Sequence, residues 1–261
     1  MESKISIEMF PAGVGDCFLL HLGDNKWLID SGYVVTTYQE HLRERLIEIA
    51  GNTGAISRMI ITHIDRDHIS GAIQLLKENG KSDNPNIIPI KQIWHNSYRH
   101  MQFEATGKNN LNETQKDELK KILKQFTLKF TDTASGKEVR NPVSTRQGTL
   151  LSGHILKNGY LWNSDFLGEA VQWNGPCVIN TSGNVKVHIL TPTKDSLKAL
   201  GYKWLKELLP PHYRGPLTND EIFFGDAIEA LAAIEMEKEE KRIALTERIR
   251  AVSSTKKNLK K

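Results

Sequence analysis

The stretch that decides the fold is Met59–Gly71, which reads MIITHIDRDHISG. A short apolar run, Met59–Ile61, has the length and composition of a buried β-strand. Directly after it, four side chains able to bind a metal fall within six residues: His63, Asp65, Asp67 and His68. Ligating side chains at that density, at the end of a buried strand, predict a metal site.

The position of this cluster supports the same interpretation. The apolar residues that follow, in ISGAIQLL, have helical spacing, so the cluster lies between a strand end and a helix start, where α/β proteins place ligands. Imidazole and carboxylate together suit Zn²⁺, Mn²⁺ or Fe²⁺. In a structural interpretation, Asp67 only caps the helix and His63 is incidental. The number of ligand-type side chains argues against that alternative.

Working outward, the N-terminal third predicts a sheet with helices packed on one face. Residues 5–10, 17–23 and 26–32 have strand patterns, and Gly23-Asp24-Asn25 is a hairpin turn between the last two. A β-β-β-α-β-α-β order results, because the next predicted elements are helix Tyr38–Ala50, strand Arg58–Ile61, helix Ile69–Asn79 and strand Pro89–Trp94.

The remainder of the chain predicts further helices and one clear strand. The predicted domain occupies residues 1–215, and residues 216–261 form an amphipathic helix and a basic tail. We expect helix Thr114–Phe126, glycine-rich turns over Ser144–Gly175, strand Val185–Pro192, helix Lys194–Leu209 and a long helix from Thr218 to about Val252.

Composition indicates an ordinary globular chain of 261 residues, with 39% hydrophobic and 25% charged residues. No apolar run reaches the length of a membrane span, and two cysteines favour a reducing cytoplasm over a disulfide framework. Lys238–Lys261 holds nine basic and three acidic residues. Because the whole chain carries +4, the preceding residues carry −2. The basic tail is either a solvated helix end or a contact for a polyanion.

These motifs carry a family resemblance. THIDRDHISG resembles the first metal motif of the metallo-β-lactamase fold, His-x-His-x-Asp-His, with Asp65 in place of the second histidine. That variant, together with GVGDCFLL and KWLIDSG upstream, resembles the hydrolase domain of the bacterial competence DNA-uptake protein and its soluble relatives. The resemblance covers roughly residues 5–76. More weakly, Gln147–Gly168 and the strand before LTP resemble relatives found beside anti-phage defence systems.

The resemblance implies an α+β protein with a metallo-β-lactamase-like αββα sandwich, of which the N-terminal part is complete. It also implies a metal-bound hydroxide that attacks phosphorus or carbonyl carbon. His63 and Asp65 would hold one Zn or Mn ion, while Asp67 and His68 would hold a second ion or, through Asp67, orient the nucleophile. Asp30 would orient a ligand histidine through its other ring nitrogen. Asp16 would be a ligand, a supporting residue of this kind, or only part of a turn.

The implied function is a metal-dependent hydrolase, and the expected activity is that of a phosphodiesterase or nuclease in DNA handling or phage defence. Fold alone does not choose the substrate, since the same fold hosts thioesterases, lactonases and lactamases. The alternative is a catalytically weak metal-binding or interaction module of a larger assembly, which a protein partner would contact through the C-terminal helix. A nucleic acid or another phosphoester is the expected substrate, and no membrane contact is expected.

Other candidate residues are weaker. His95 and His100 either approach the site from the end of the next strand or are surface histidines, and we expect the latter. His188 is a candidate substitute for the third histidine ligand, which relatives place where this chain has Leu190. Trp162, Trp173 and Trp204 are expected to be core or lid residues.

The second half of the site has few candidates. Asp226, in the late Gly225-Asp226 pair, is the candidate bridging ligand, although the helical pattern around it favours an aspartate on the face of a helix. No histidine follows His212. We therefore expect an incomplete site, weak metal retention, low activity that a longer chain or partner would raise, and a tail helix that reaches outward.

Overall fold

The computed structural model describes residues 5–103, 145–175, 178–180 and 186–208, with the single positions 114, 117, 121, 229, 232–234, 236–238, 241, 242, 245 and 246. Its strands are β1 (Ile5–Met9), β2 (Phe18–Leu22), β3 (Asn25–Ile29), β4 (Arg58–Ile60), β5 (Ile93–Trp94), β6 (Val178–Asn180) and β7 (Lys186–His188). Its α-helices are α1 (Arg43–Gly51), α2 (Arg66–Asn79), α3 (Thr145–Lys157) and α4 (Lys194–Leu208). The structure is therefore a mixed α and β protein, compatible with the predicted α+β class.

The main sheet has five strands in the order β1-β2-β3-β4-β5. The first three strands are antiparallel neighbours, and β3, β4 and β5 run parallel. The connection from β3 to β4 contains a π-helical segment (Val34–Leu42) and α1, and the connection from β4 to β5 contains α2. Because β3, β4 and β5 are parallel, their carboxyl ends meet at one edge of the sheet, and this edge carries the candidate site.

One face of the sheet is buried across β2 to β5. Leu19, Leu28, Met59 and Ile93 lie side by side across β2 to β5, and each is 0% exposed. They belong to the same core as buried residues of α1, α2 and α3, such as Leu46 in α1. Apolar burial on this face is the main force that holds the helices against the sheet.

The opposite face is covered only at one end by the described residues. At β4 and β5, Arg58 and Trp94 are buried, and Asp165 accepts a 2.7 Å hydrogen bond from the Arg58 guanidinium. At β1, Ile5, Ile7 and Met9 are 63%, 59% and 74% exposed. The predicted sandwich needs a second sheet, and the other sheet of the described residues is the two-stranded pair β6–β7.

The prediction of glycine-rich turns over Ser144–Gly175 is wrong at its start, because Thr145–Lys157 is the helix α3. The glycines of α3 allow close packing of the helix against its neighbours and do not form turns. A Cβ on Gly148 would lie 2.4 Å from the Trp204 ring, and one on Gly153 would lie 2.9 Å from the sulfur of Met236. Glycine is therefore needed at position 148, because the buried Trp204 ring cannot move aside, whereas at position 153 the flexible Met236 side chain would have to shift.

Several element boundaries also differ from prediction. The helix predicted over Tyr38–Ala50 starts earlier, because its first residues belong to the π-helical segment Val34–Leu42, which continues into α1. Helix α2 begins at Arg66 rather than Ile69. Of the strand predicted over Pro89–Trp94, only β5 belongs to the ladder, with one isolated bridge between Ile56 and Ile90. The predicted helix Lys194–Leu209 is confirmed as α4.

The described positions of the predicted C-terminal helix, from 229 to 246, are helical. Glu229 and Ala232 are buried, and one carboxylate oxygen of Glu229 accepts hydrogen bonds from the Ser97 hydroxyl (2.7 Å) and the Arg99 amide (3.0 Å). The expectation that this helix simply reaches outward is therefore wrong at its first described turns. Most of Thr114–Phe126 and the pair at 225–226 lie outside the described residues.

Within the described part of the chain, no helix combines the length and the apolar character needed to cross a bilayer.

Candidate metal centre

The site begins where β3 and β4 end side by side. Asp30 directly follows β3, and its amide donates a 2.9 Å hydrogen bond to the carbonyl of Ile60, the last residue of β4. Asp30 has a φ of 52°, a left-handed conformation that aspartate tolerates better than most residues. Thr62 and His63 follow β4 at the same edge, so the strand ends bring these three side chains together.

Asp30 is buried, and three donors surround its carboxylate. One oxygen accepts the Thr62 amide at 2.9 Å, and the other accepts the Thr62 hydroxyl at 2.5 Å and pairs with His68 Nδ1 at 3.0 Å. Burial raises the pKa of Asp30 above its ordinary value, and the hydrogen bonds from Thr62 and His68 act in the opposite direction. Because three donors converge on it, we interpret Asp30 as a carboxylate that fixes its neighbours.

His68 is held in place by the first turn of α2. Its amide donates to the carbonyl of Asp65, which is the N-cap residue, and its carbonyl accepts the Ser31 amide at 3.1 Å. The loop after β3 packs so closely on α2 that a Cβ on Gly71 would lie 2.0 Å from the Ser31 carbonyl oxygen. Glycine at 71 therefore allows the approach that places Asp30 beside His68.

The imidazole rings of His63 and His68 are in contact, with their centroids 3.8 Å apart. Its Nδ1 is 2.9 Å from the Thr62 hydroxyl, and its Nε2 is 3.6 Å from a carboxylate oxygen of Asp65. The side chain of His63 is 46% exposed, whereas that of His68 is 8% exposed. The site is thus open to solvent on the His63 side.

Two more carboxylates border the histidine pair. Asp67 reaches to 3.7 Å from His68 Nε2, and Asp16 to 3.9 Å from His68 Nδ1. The loop that holds Asp16 is fixed by its carbonyl, which accepts the Gly32 amide, and by Gly15, where a Cβ would meet the Asp67 carbonyl oxygen at 2.0 Å. All six residues predicted for the site therefore lie in one neighbourhood.

Asp30, His63 and His68 form a group that could hold a metal ion, since one ligand atom from each lies within 4.8 Å of the others. This group differs from the predicted ligand set, because it includes Asp30 and omits Asp65 and Asp67. The donor types fit a divalent metal, as imidazole nitrogen and carboxylate oxygen both bind Zn²⁺ and Mn²⁺. A second arrangement uses the Nε2 atoms of His63 and His68, which face Asp65 and Asp67. In that arrangement Asp30 does not bind the metal but orients the His68 ring through its Nδ1.

The other histidine candidates lie elsewhere. His95 and His100 are 2% and 6% exposed, so the prediction that they are surface residues is wrong. Both pack on the ring of Trp162, and burial lowers the pKa of His95 to about 3 and that of His100 well below its ordinary value. His188 is an exposed residue of β7, outside the three-residue group.

The predicted tryptophans divide by location. Trp204 is fully buried in the core, Trp162 is partly buried and donates to the His95 carbonyl, and Trp173 is 47% exposed.

A sequence-only interpretation missed Thr62, whose hydroxyl and amide both contact Asp30. The one signal for it was a hydroxyl side chain immediately before the first histidine of the motif. Cys17, next to Asp16, is not a candidate nucleophile, because burial raises the pKa of its thiol to about 12.

Compared with known proteins, the chain matches no family model, and none of the curated proteins matches its sequence.

Proposed function

We propose that this chain is a metal-dependent hydrolase of the metallo-β-lactamase fold that acts on phosphoesters. The observation that carries the proposal is the convergence of Asp30, His63 and His68 at the carboxyl edge of the sheet, with Asp65 and Asp67 within 4 Å of the imidazoles. A divalent cation bound between the imidazoles would offset the negative charge of the carboxylates that border them.

The chain's own groups have distinct roles in this proposal. His63 and His68 hold the metal, together with Asp65 or Asp30, and Asp30 keeps the buried His68 ring in one orientation. When bound, the divalent ion would lower the pKa of water and polarise the scissile group. Asp67, with a side chain that is 19% exposed, would orient the attacking water by accepting a hydrogen bond from it.

The substrate class rests on the donor set and on the sequence resemblance. Asp65 in place of a histidine makes the site richer in oxygen, which favours Mn²⁺ over Zn²⁺ and phosphate over carbonyl substrates. The resemblance to a DNA-uptake hydrolase domain and to relatives near anti-phage systems supports a phosphodiesterase or nuclease that handles DNA in the cytoplasm. The site would hold one or two ions.

A second candidate function is a metal-binding module with little turnover. It is favoured by the size of the group found among the described residues, because three side chains are too few for two ions without further ligands. In this case a larger protein assembly would supply further ligands. The exposed positions 241, 242, 245 and 246 of the C-terminal helix would then contact the partner.

Hydrolysis of a phosphodiester distinguishes the two candidates. Purified parent protein would be assayed with Mn²⁺ or Zn²⁺ on bis(p-nitrophenyl) phosphate and on single- and double-stranded DNA. The matched variants are Asp67→Ala in the site and Asp24→Ala in the exposed β2–β3 turn. Metal-dependent turnover that Asp67→Ala abolishes and Asp24→Ala retains supports the hydrolase. Metal binding without turnover supports the module.

A further inference from the structure

The hydroxyl of Thr62 lies between the buried carboxylate and the exposed histidine. Its Oγ1 is 2.5 Å from Asp30 Oδ2 and 2.9 Å from His63 Nδ1. We propose that Thr62 is a positioning residue that transmits the orientation set by Asp30 to His63, so that one carboxylate fixes the tautomer of both histidines. The effect on metal affinity rests on the proposed function, whereas the tautomer itself does not.

The proton count determines the direction of these hydrogen bonds. A hydroxyl has one hydrogen and two acceptor lone pairs. The shorter contact is to the carboxylate, which can only accept, so the hydroxyl hydrogen points to Asp30. The lone pairs of Thr62 Oγ1 then face His63 Nδ1, which must donate. His63 therefore carries its proton on Nδ1, and its Nε2 has a free lone pair.

His68 has the same tautomer as His63, but through a direct contact with Asp30. His68 Nδ1 is 3.0 Å from the same Asp30 oxygen, so it donates its proton there and leaves its Nε2 free. The two Nε2 atoms are those that face the carboxylates of Asp65 and Asp67. Asp30, through one direct contact and one contact mediated by a hydroxyl, thus leaves a lone pair on the Nε2 atom of each histidine available to bind metal.

The hydroxyl is needed because His63 has less support than His68. Its side chain is 46% exposed, and burial does not hold its ring in place. Partners that fix a ligand histidine through its second nitrogen typically contribute 10- to 100-fold to metal affinity. We expect Thr62→Val, which keeps the shape and removes the hydroxyl, to weaken metal binding by roughly 10-fold.

The test uses ¹⁵N-labelled, metal-free protein at a pH where both imidazoles are neutral. Two-bond ¹H–¹⁵N correlation spectra report which nitrogen of each imidazole is protonated. We expect Nδ1–H at both His63 and His68 in the parent and in Thr62→Ser, and loss of the single tautomer at His63 but not at His68 in Thr62→Val. Metal affinity, measured by chelator competition, should fall in Thr62→Val and recover in Thr62→Ser.

Two results would overturn the role of Thr62. One is a parent protein with the His63 proton on Nε2, and the other is a folded Thr62→Val variant with the parent's tautomer and affinity. A parent protein that binds no metal would instead refute the proposed function. In that case the spectra of the metal-free protein still decide whether Thr62 sets the tautomer of His63.

Discussion

Replacing Asp30 by asparagine is the most informative single change at the site. The substitution preserves shape, but it places an amide NH₂ where one carboxylate oxygen now accepts from the Thr62 hydroxyl and pairs with His68 Nδ1. A donor at that point forces His68 to accept on Nδ1, so that the imidazole proton moves to Nε2. The nitrogen that faces Asp67 would then lose its lone pair for metal.

The expected loss of metal affinity is roughly 10- to 100-fold. This corresponds to about 1.4 to 2.7 kcal/mol. The fold should persist, because the Thr62 amide can still donate to the remaining side-chain oxygen. Affinity would be measured by chelator competition, with far-ultraviolet circular dichroism as the check on folding. The matched control is Asp24→Asn, the same change at an exposed turn residue. Unchanged affinity in a folded Asp30→Asn protein would refute this role of Asp30.

Three further predictions test the surrounding structure. Gly71→Ala should cost about 1 to 3 kcal/mol of unfolding free energy, because its Cβ would lie 2.0 Å from a backbone oxygen, whereas Gly51→Ala in open space should change it by less than about 1 kcal/mol. Burial raises the pKa of Glu229 above 4.5, so the folded protein holds this proton more tightly than the unfolded chain does, and the free energy of unfolding should fall as pH rises through the raised pKa. Glu229→Gln should remove this fall in denaturation series measured across pH. Ile7→Ala, on the exposed sheet face, should cost under about 1 kcal/mol, but Leu19→Ala on the buried face should cost about 2 to 5 kcal/mol.

Local sequence patterns predicted the strand-to-helix site well, because ligand spacing and apolar periodicity are both short-range signals. The cluster from His63 to His68 follows a strand and enters a helix, as expected. Asp16 and Asp30 could be selected only through the resemblance, since nothing local distinguishes them from turn residues. Their arrival beside His68 depends on the parallel pairing of β3 with β4 and on close packing at Gly15 and Gly71.

The incorrect predictions have physical causes that cannot be inferred from a single sequence. The glycines at 148 and 153 suggest turns, yet both are helical, and Gly148 packs so closely on the Trp204 ring that a side chain would not fit. The sequence shows no partner for His95 and His100, so surface positions are expected, but both are buried and pack on Trp162. In each case a distant packing partner overrides the local preference.

The central claim is that the cluster at the carboxyl edge of the sheet binds a divalent metal. Its most direct test is the metal stoichiometry of the purified protein after loading with Zn²⁺ or Mn²⁺, measured by native mass spectrometry. The comparison is the double variant Asp67→Ala, His68→Ala, with the exposed His188→Ala as control. The account predicts one or two ions on the parent and on His188→Ala, and none on the folded double variant. Equal stoichiometry in the parent and the double variant would contradict it.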